Sequence, residues 1–186
     1  MEGYFNVLMV GRYAGEKRQD VLIEACAKCR HAHEIQVILA GKGPLEKKYR
    51  KLAEKLPNPI VMSFYEPDRL LEILHMADLY VHTSDAEIEA MSCMEAFACG
   101  LVPVIANSPR SATPQFALDE RSLFPAGDTD ALAERIDYWI EHPQEREEME
   151  RRYAEHAKQY ALERSIEQTE DMFRMAIAEQ KATTKE

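Results

Sequence analysis

Short apolar runs without polar alternation recur along this chain, and each is followed by a segment with helical spacing. Phe5–Val10, Ile35–Ala40, Ile60–Phe64, Leu79–His82 and Val102–Ala106 are such runs, and a weaker one lies at Ser122–Phe124. A strand with no polar face is buried on both sides, which calls for a mostly parallel sheet beneath helices. Between the runs, Glu16–Arg30 carries Val21, Leu22 and Ala25 on one face, and Pro44 opens a helix through Leu45, Tyr49, Leu52 and Leu56. Asp68–Met76 and Met91–Cys99 complete the alternation. The expected fold is α/β, a doubly wound, Rossmann-like, mostly parallel sheet with closing helices at the C-terminus.

Right-handed crossovers place every strand-to-helix loop along the C-terminal edge of such a sheet, where open α/β folds take their ligands. Three loops fall there: Gly11–Lys17, Gly41–Pro44 and Thr83–Met91. Beyond Asp128 the chain reads as helical. Asp128 caps Ala131–Ile140, His142-Pro143 breaks that helix, 145–152 is a charged, solvated face, and Leu162–Ile177 is amphipathic. From Ala178 onward a frayed tail is expected.

The 186 residues suffice for one domain with a real core, and 46% hydrophobic with 30% charged residues describes a globular chain. No apolar run approaches the ~20 residues of a membrane span, and Met1-Glu2-Gly3 does not open a signal peptide. A net charge of −10 argues against nucleic acid or an anionic membrane as partner of the overall field. The cysteines at 26, 29, 93 and 99 form no secreted-type framework, so a reduced cytoplasmic compartment is the simplest expectation. Cys26, Cys29, His31 and His33 have metal-binding side chains, but Cys26 and Cys29 lie on a helix and a second ligand pair is missing. No metal site is therefore expected.

The loop residues suggest a chemistry. Arg12 and Lys17 flank the first strand's exit, where a guanidinium and an ammonium suit a diphosphate. Gly41-x-Gly43 lacks the further residues of either nucleotide fingerprint and reads as a tight backbone approach beside a flat base, or as a plain turn. Glu87 and Glu95, eight apart, lead from a strand end into the next helix. Carboxylates accept hydrogen bonds from sugar hydroxyls, and the free N–H groups at a helix start attract anions. Glu87 is the candidate carboxylate beside the reacting carbon, and Glu95 a candidate for a ribose diol. His82 reads as a base or as a hydrogen-bonded residue close to the core. With no G-x-S-x-G elbow, hydrolase chemistry is disfavoured.

Taken in order, Val10-Gly11-Arg12-x-x-x-Glu16-Lys17, Leu39-Ala40-Gly41-Lys42-Gly43-Pro44, Ala77-Asp78-Leu79 and Ser84-x-x-Glu87-x7-Glu95-Ala96-x-Ala98-Cys99-Gly100-x-x-Pro103-Val104 resemble one family. It is the C-terminal, donor-binding half of GT-B retaining glycosyltransferases of the glycosyltransferase group 1 (GT4) type, and the resemblance covers about Val7 to Asp130. Glu87–Ala90, Asn107–Thr113, Phe116–Glu120 and Leu123-Phe124 look closest to bacterial diacylglycerol glucosyltransferases. The resemblance implies that Arg12 and Lys17 hold the diphosphate of a nucleotide-sugar, with Gly41 and Gly43 near the base. It also implies Glu87 at the donor sugar, the amides of Ala90, Met91 and Ser92 on sugar and phosphate, and Glu95 on the ribose. The implied donor is a UDP-hexose, UDP-glucose foremost, with no resident cofactor or metal, and the acceptor a lipid or saccharide. Cationic side chains and helix dipoles would stabilise the leaving diphosphate, one such contact being worth about 2–4 kcal/mol.

This sequence departs from that pattern at Arg18 and Ala90, where the family commonly has glycine, and at Ser108–Ser111, where Gly-Gly is common. Arg18 is expected to narrow or re-charge the mouth of the site. Residues 1–178 are expected to be the donor domain and 179–186 a disordered tail. The acceptor-binding N-terminal half is absent, so the chain is expected to need that half as a partner and to be inactive alone. The alternatives are a non-catalytic nucleotide-sugar-binding subunit, or half of a GT-B epimerase or phosphorylase.

Overall fold

The computed structural model describes residues 3–183, with side chains to residue 180. Six parallel strands form one sheet: β1 (Phe5–Val10), β2 (Ile35–Ala40), β3 (Val61–Ser63), β4 (Leu79–His82), β5 (Pro103–Asn107) and β6 (Leu123–Pro125). Their order is β3-β2-β1-β4-β5-β6. Register follows the apolar runs: Phe5 to Val10 pair with Ile35 to Ala40, and Tyr80 to His82 with Pro103 to Ile105. β2 and β4 are buried at every position, as runs without a polar face require. The short sixth run is a true strand, paired to β5 at the sheet's edge.

The helices are α1 (Gln19–Lys28), α2 (Glu46–Leu52), α3 (Pro67–Met76), α4 (Met91–Ala98), α5 (Thr129–Glu141), α6 (Pro143–Ala157) and α7 (Leu162–Thr183). Chain direction reverses across the sheet between β1 and β4, so right-handed crossovers put α1 and α4 on opposite faces. α1 packs against α2 and α5, and α4 packs against α6. Trp139 of α5 and Phe97 of α4 are fully buried, Phe97 against Tyr153 of α6. Truncating either to alanine would cost about 3–5 kcal/mol. Asp128 caps α5 as expected, its carboxylate accepting from the N–H groups of Asp130 and Ala131.

Three expectations are corrected. The first helix does not start at Glu16: Gly15–Lys17 form a 3-10 turn, and Arg18 then takes φ 53°, so α1 starts at Gln19. The last helix does not fray at Ala178, and 179–186 is not disordered throughout. α7 continues to Thr183 because Ala176, Ala178, Glu179 and Gln180 are all good helix formers, and residues 184–186 lie outside the described residues. The charged segment 145–152 is also less uniform than expected, since Met149 is buried in the core.

Candidate functional site

The strand-exit loops are laced together at the C-terminal edge by main-chain bonds. Gly11 N–H donates to Ala40 O (2.9 Å), Gly41 N–H to Ser63 O (2.8 Å) and Tyr13 N–H to Lys42 O (3.1 Å). The Tyr13 hydroxyl, from the first loop, donates to Leu39 O (2.8 Å). A Cβ on Gly41 would stand 2.0 Å from Gly11 O, and one on Gly43 2.5 Å from Tyr13 O. The close approach expected of these glycines is therefore to the chain's own first loop, and only hydrogen fits there. A cleft of about 460 Å³ opens beside this seam, lined by Arg12, Gly41, Lys42, Gly43, Phe64 and Tyr65 among others.

Across the β1/β4 reversal a second set of bonds fixes the other half. The Thr83 hydroxyl lies 2.8 Å from the carbonyl oxygens of Lys17 and Arg18, and Asp85 N–H donates to Glu16 O (2.8 Å). Glu87 is tied to the β5 exit, its carbonyl accepting from Ala112 N–H (3.0 Å), while the Ser108 hydroxyl donates to Asp85 O (2.6 Å). Lys17 and Glu87, 70 residues apart, thus meet as an ion pair, with side chains 21% and 17% exposed. They line a second concavity, of about 520 Å³, with Ile88, Glu89, Ala90, Met91 and Ser92.

α4 begins there with no side-chain cap and no acidic residue in its first turn, so its first N–H groups face the concavity without a competing carboxylate on the helix. Ala90 precedes it at φ 49°. Ala90 and Arg18 are the two non-glycine residues with positive φ among the described residues, and both stand where the resembled family commonly has glycine. The chain retains the left-handed backbone without the residue that adopts it freely. Arg18 does not re-charge the mouth: its guanidinium turns onto Asp85 (3.0 Å) and Asp20 (3.4 Å). The hydrogen bond to Asp85 holds its pKa above the ordinary value.

The predicted residues are distributed over two places. Arg12, Gly41 and Gly43 line the first cleft, while Lys17, Glu87, Ala90, Met91 and Ser92 line the second concavity. Arg12 is exposed and its carbonyl is held by Gln19 Nε2–H (2.8 Å). Glu95 is exposed on α4 one turn beyond Met91, outside the lining of both. The metal-like cluster does not form: Cys26 and Cys29 are buried in the core, and His31 lies between Glu34 (2.8 Å) and Glu141 (3.0 Å). Among the described residues no group of His, Cys, Asp and Glu is placed to hold a metal ion. No helix among the described residues is long and apolar enough to cross a membrane.

Two residues escaped the sequence reading, Phe64 and Tyr80, while His82 is the near-core residue that one of its two readings gave. Phe64 lies beyond β3 rather than inside it, 52% exposed, with Lys42 Nζ 4.2 Å from its ring centroid. The signal was Ser63 before an aromatic, where the strand's burial ends. Tyr80 and His82 lie behind Glu87, and His82 Nε2 is 3.7 Å from Glu87 Oε2. Burial lowers the His82 pKa to about 4, against a smaller raising effect of Glu87, so the ring is neutral near pH 7.

A doubly wound sheet with cations, a carboxylate and a bare helix start on its C-terminal edge is the architecture of a phosphorylated-ligand-binding α/β domain. The chain belongs to the glycosyl transferases group 1 family, whose model matches residues 2–160. It is similar to the catalytic domain of cholesterol-alpha-glucosyltransferase from Helicobacter pylori, with 50% identity, TM-score 0.82 and coverage of 84% of this chain and 99% of that one. EpsD of Bacillus subtilis is 28% identical over 160 residues, 84% of this chain and 42% of that protein. Anabaena HepE in complex with UDP and glucose shares the fold, with TM-score 0.74 at 23% identity, over 84% of this chain and 44% of that one. The chain spans about two fifths or less of the length of the curated relatives it matches.

Proposed function

We propose that this chain is the donor-binding domain of a retaining glycosyltransferase that takes glucose from UDP-glucose and passes it to a lipid acceptor. The observation that carries the reading is the Lys17–Glu87 pair set against the uncapped start of α4. One concavity then offers a cation and amide donors to a diphosphate and a carboxylate to sugar hydroxyls. Arg12 supplies the second cation, and the Gly41–Gly43 cleft, with exposed Phe64 on its wall, suits a flat base. Glu95, a turn along α4, is assigned to the ribose. An α-linked donor and the alpha-glucoside in the Helicobacter relative's name support retention, and that relative's sterol acceptor supports a lipid over a saccharide.

In this reading the residues act by position and charge. Lys17, Arg12 and the amides of Ala90, Met91 and Ser92 stabilise the leaving diphosphate, and Glu87 orients the hexose. The acceptor comes from a second domain that this chain requires as partner, and the reaction is assigned to the cytoplasm on the cysteine usage of the sequence. Calorimetric titration with UDP, UDP-glucose and GDP-mannose tests the reading. Saturable binding selective for the uridine ligands, weakened at least tenfold in both Arg12→Ala and Lys17→Ala, is expected. Equal affinity for GDP-mannose, or indifference to both substitutions, would refute it.

A further inference from the structure

Behind Glu87 the Ser92 hydroxyl, half-buried, leads into two buried side chains, Tyr80 and His82, that the donor reading does not use. The Ser92 hydroxyl is 3.0 Å from the Tyr80 hydroxyl, which is 3.2 Å from His82 Nδ1. His82 is 1% exposed, and its Nε2 is buried without a hydrogen-bond partner, 3.7 Å from Glu87 Oε2. The Tyr80 and His82 rings stack at 6.2 Å with an interplanar angle of 28°, which fixes the direction of the imidazole.

The protons can run along this chain in two directions. If Nδ1 carries the proton, the lone pair of Nε2 faces a carboxylate in a buried site, which is unfavourable. If Ser92 donates to Tyr80 and Tyr80 to Nδ1, the proton sits on Nε2 and points at Glu87. The second arrangement places a donor at every step and ends on the anion. Val10 O, at 3.5 Å from Ser92 Oγ, is the longer and weaker alternative partner for the Ser92 proton.

We infer that His82, held as its Nε2–H tautomer by Tyr80 and Ser92, is the positioning residue that keeps Glu87 in place when a diphosphate draws Lys17 away. This rests on the donor-binding reading above. In the free chain Glu87 has Lys17 as its ion partner. A diphosphate competes for that ammonium, and the carboxylate then needs another donor to stay aimed at the sugar. His82 Nε2–H is the donor already aimed at it, and the remaining gap is of the kind that closes only in the loaded site.

The test uses the whole chain. Long-range ¹H–¹⁵N NMR should show His82, identified by its loss in His82→Gln, as the neutral Nε2–H tautomer, and Tyr80→Phe should convert part of it to Nδ1–H. In calorimetry, His82→Leu should keep the affinity for UDP but lose about tenfold in affinity for UDP-glucose, while His82→Gln, whose amide can still donate to Glu87, should restore most of that loss. A folded wild-type chain with the Nδ1–H tautomer overturns the inference, as does His82→Leu binding UDP-glucose like wild type. If His82→Leu does not fold, Tyr80→Phe carries the same comparison. Failure of the wild-type chain to bind UDP-glucose would sink the donor reading, and the tautomer would still decide the arrangement of the buried chain.

Discussion

Lys17 and Glu87 form an ion pair between the exits of β1 and β4, strands that are neighbours in the sheet although the residues are 70 positions apart. Both side chains are mostly buried, and Thr83 and Asp85 clamp the loops that carry them. Glu87→Gln preserves shape and removes the charge. It should weaken UDP-glucose binding by about 10- to 100-fold, the worth of a charge-assisted hydrogen bond, and change stability by less than about 1 kcal/mol. Calorimetry beside a urea titration checks both, and intact UDP-glucose affinity would remove Glu87 from the donor site.

Gly41 has no room for a methyl group. Its added Cβ would lie 2.0 Å from Gly11 O, a backbone atom fixed at the end of β1. Gly41→Ala should destabilise the chain by about 3 kcal/mol and loosen the cleft. Gly15→Ala, where nothing lies within 4 Å, is the control and should be close to neutral. A urea midpoint unchanged in Gly41→Ala would contradict the seam described here.

Ala90 holds φ 49° before α4. Ala90→Gly relieves about 1–2 kcal/mol of left-handed strain, and the greater freedom of glycine in the unfolded chain returns part of it. A net stabilisation of about 0.5–1 kcal/mol is expected in thermal or urea unfolding. The parallel Arg18→Gly change should gain less, because it also removes the bonds to Asp85 and Asp20. A clear loss of stability in Ala90→Gly would show that the methyl group contributes more than the backbone costs.

His82 gives the stability a pH dependence. Burial lowers its pKa to about 4, from an ordinary value near 6.5, so between these values the unfolded chain binds the proton and the folded chain does not. Stability from this residue is fully present above about pH 6.5 and is lost as pH falls towards 4, by roughly 3 kcal/mol in all. Urea titrations of wild type and His82→Gln from pH 7.5 to 4 isolate it from other groups, including His31, whose pKa is raised by Glu34 and Glu141. Parallel curves would mean that His82 titrates in the folded chain as it does in the unfolded one.

α7 adds little to the fold's stability. Its described side chains are all exposed, Leu162, Met172, Phe173 and Met175 among them. Ending the chain after Ala161 should change the unfolding free energy by less than about 0.5 kcal/mol, read as an unchanged urea midpoint. A large drop would reveal packing of α7 on the domain.

Much of the architecture was legible because short apolar runs without polar alternation announce a buried parallel sheet. β1, β2 and β4 fall on the residues that their hydrophobic runs predict. The candidate site was legible as residue types at three loop positions, but Gly41 illustrates the limit. Its pattern pointed to a tight backbone approach, beside a ligand's base or in a plain turn, and the atoms that require glycine belong to Gly11. Glu95 was read together with Glu87, although the helix turn between them leaves Glu95 outside the concavity that Glu87 lines. Arg18 was read as a charge at the mouth because the sequence does not show that Asp20 and Asp85 lie within reach of it.

By itself the sequence determined the strand-helix alternation, the parallel sheet and the edge on which its strand-exit loops gather. Those follow from local periodicity and the handedness of crossovers, which every segment carries within itself. The tertiary structure decided which charges meet. It paired Lys17 with Glu87, turned Arg18 away and put the Tyr80–His82 chain behind the carboxylate. Such pairings depend on ångström distances between strands that neighbour one another only through the sheet order, and on burial that makes a histidine neutral.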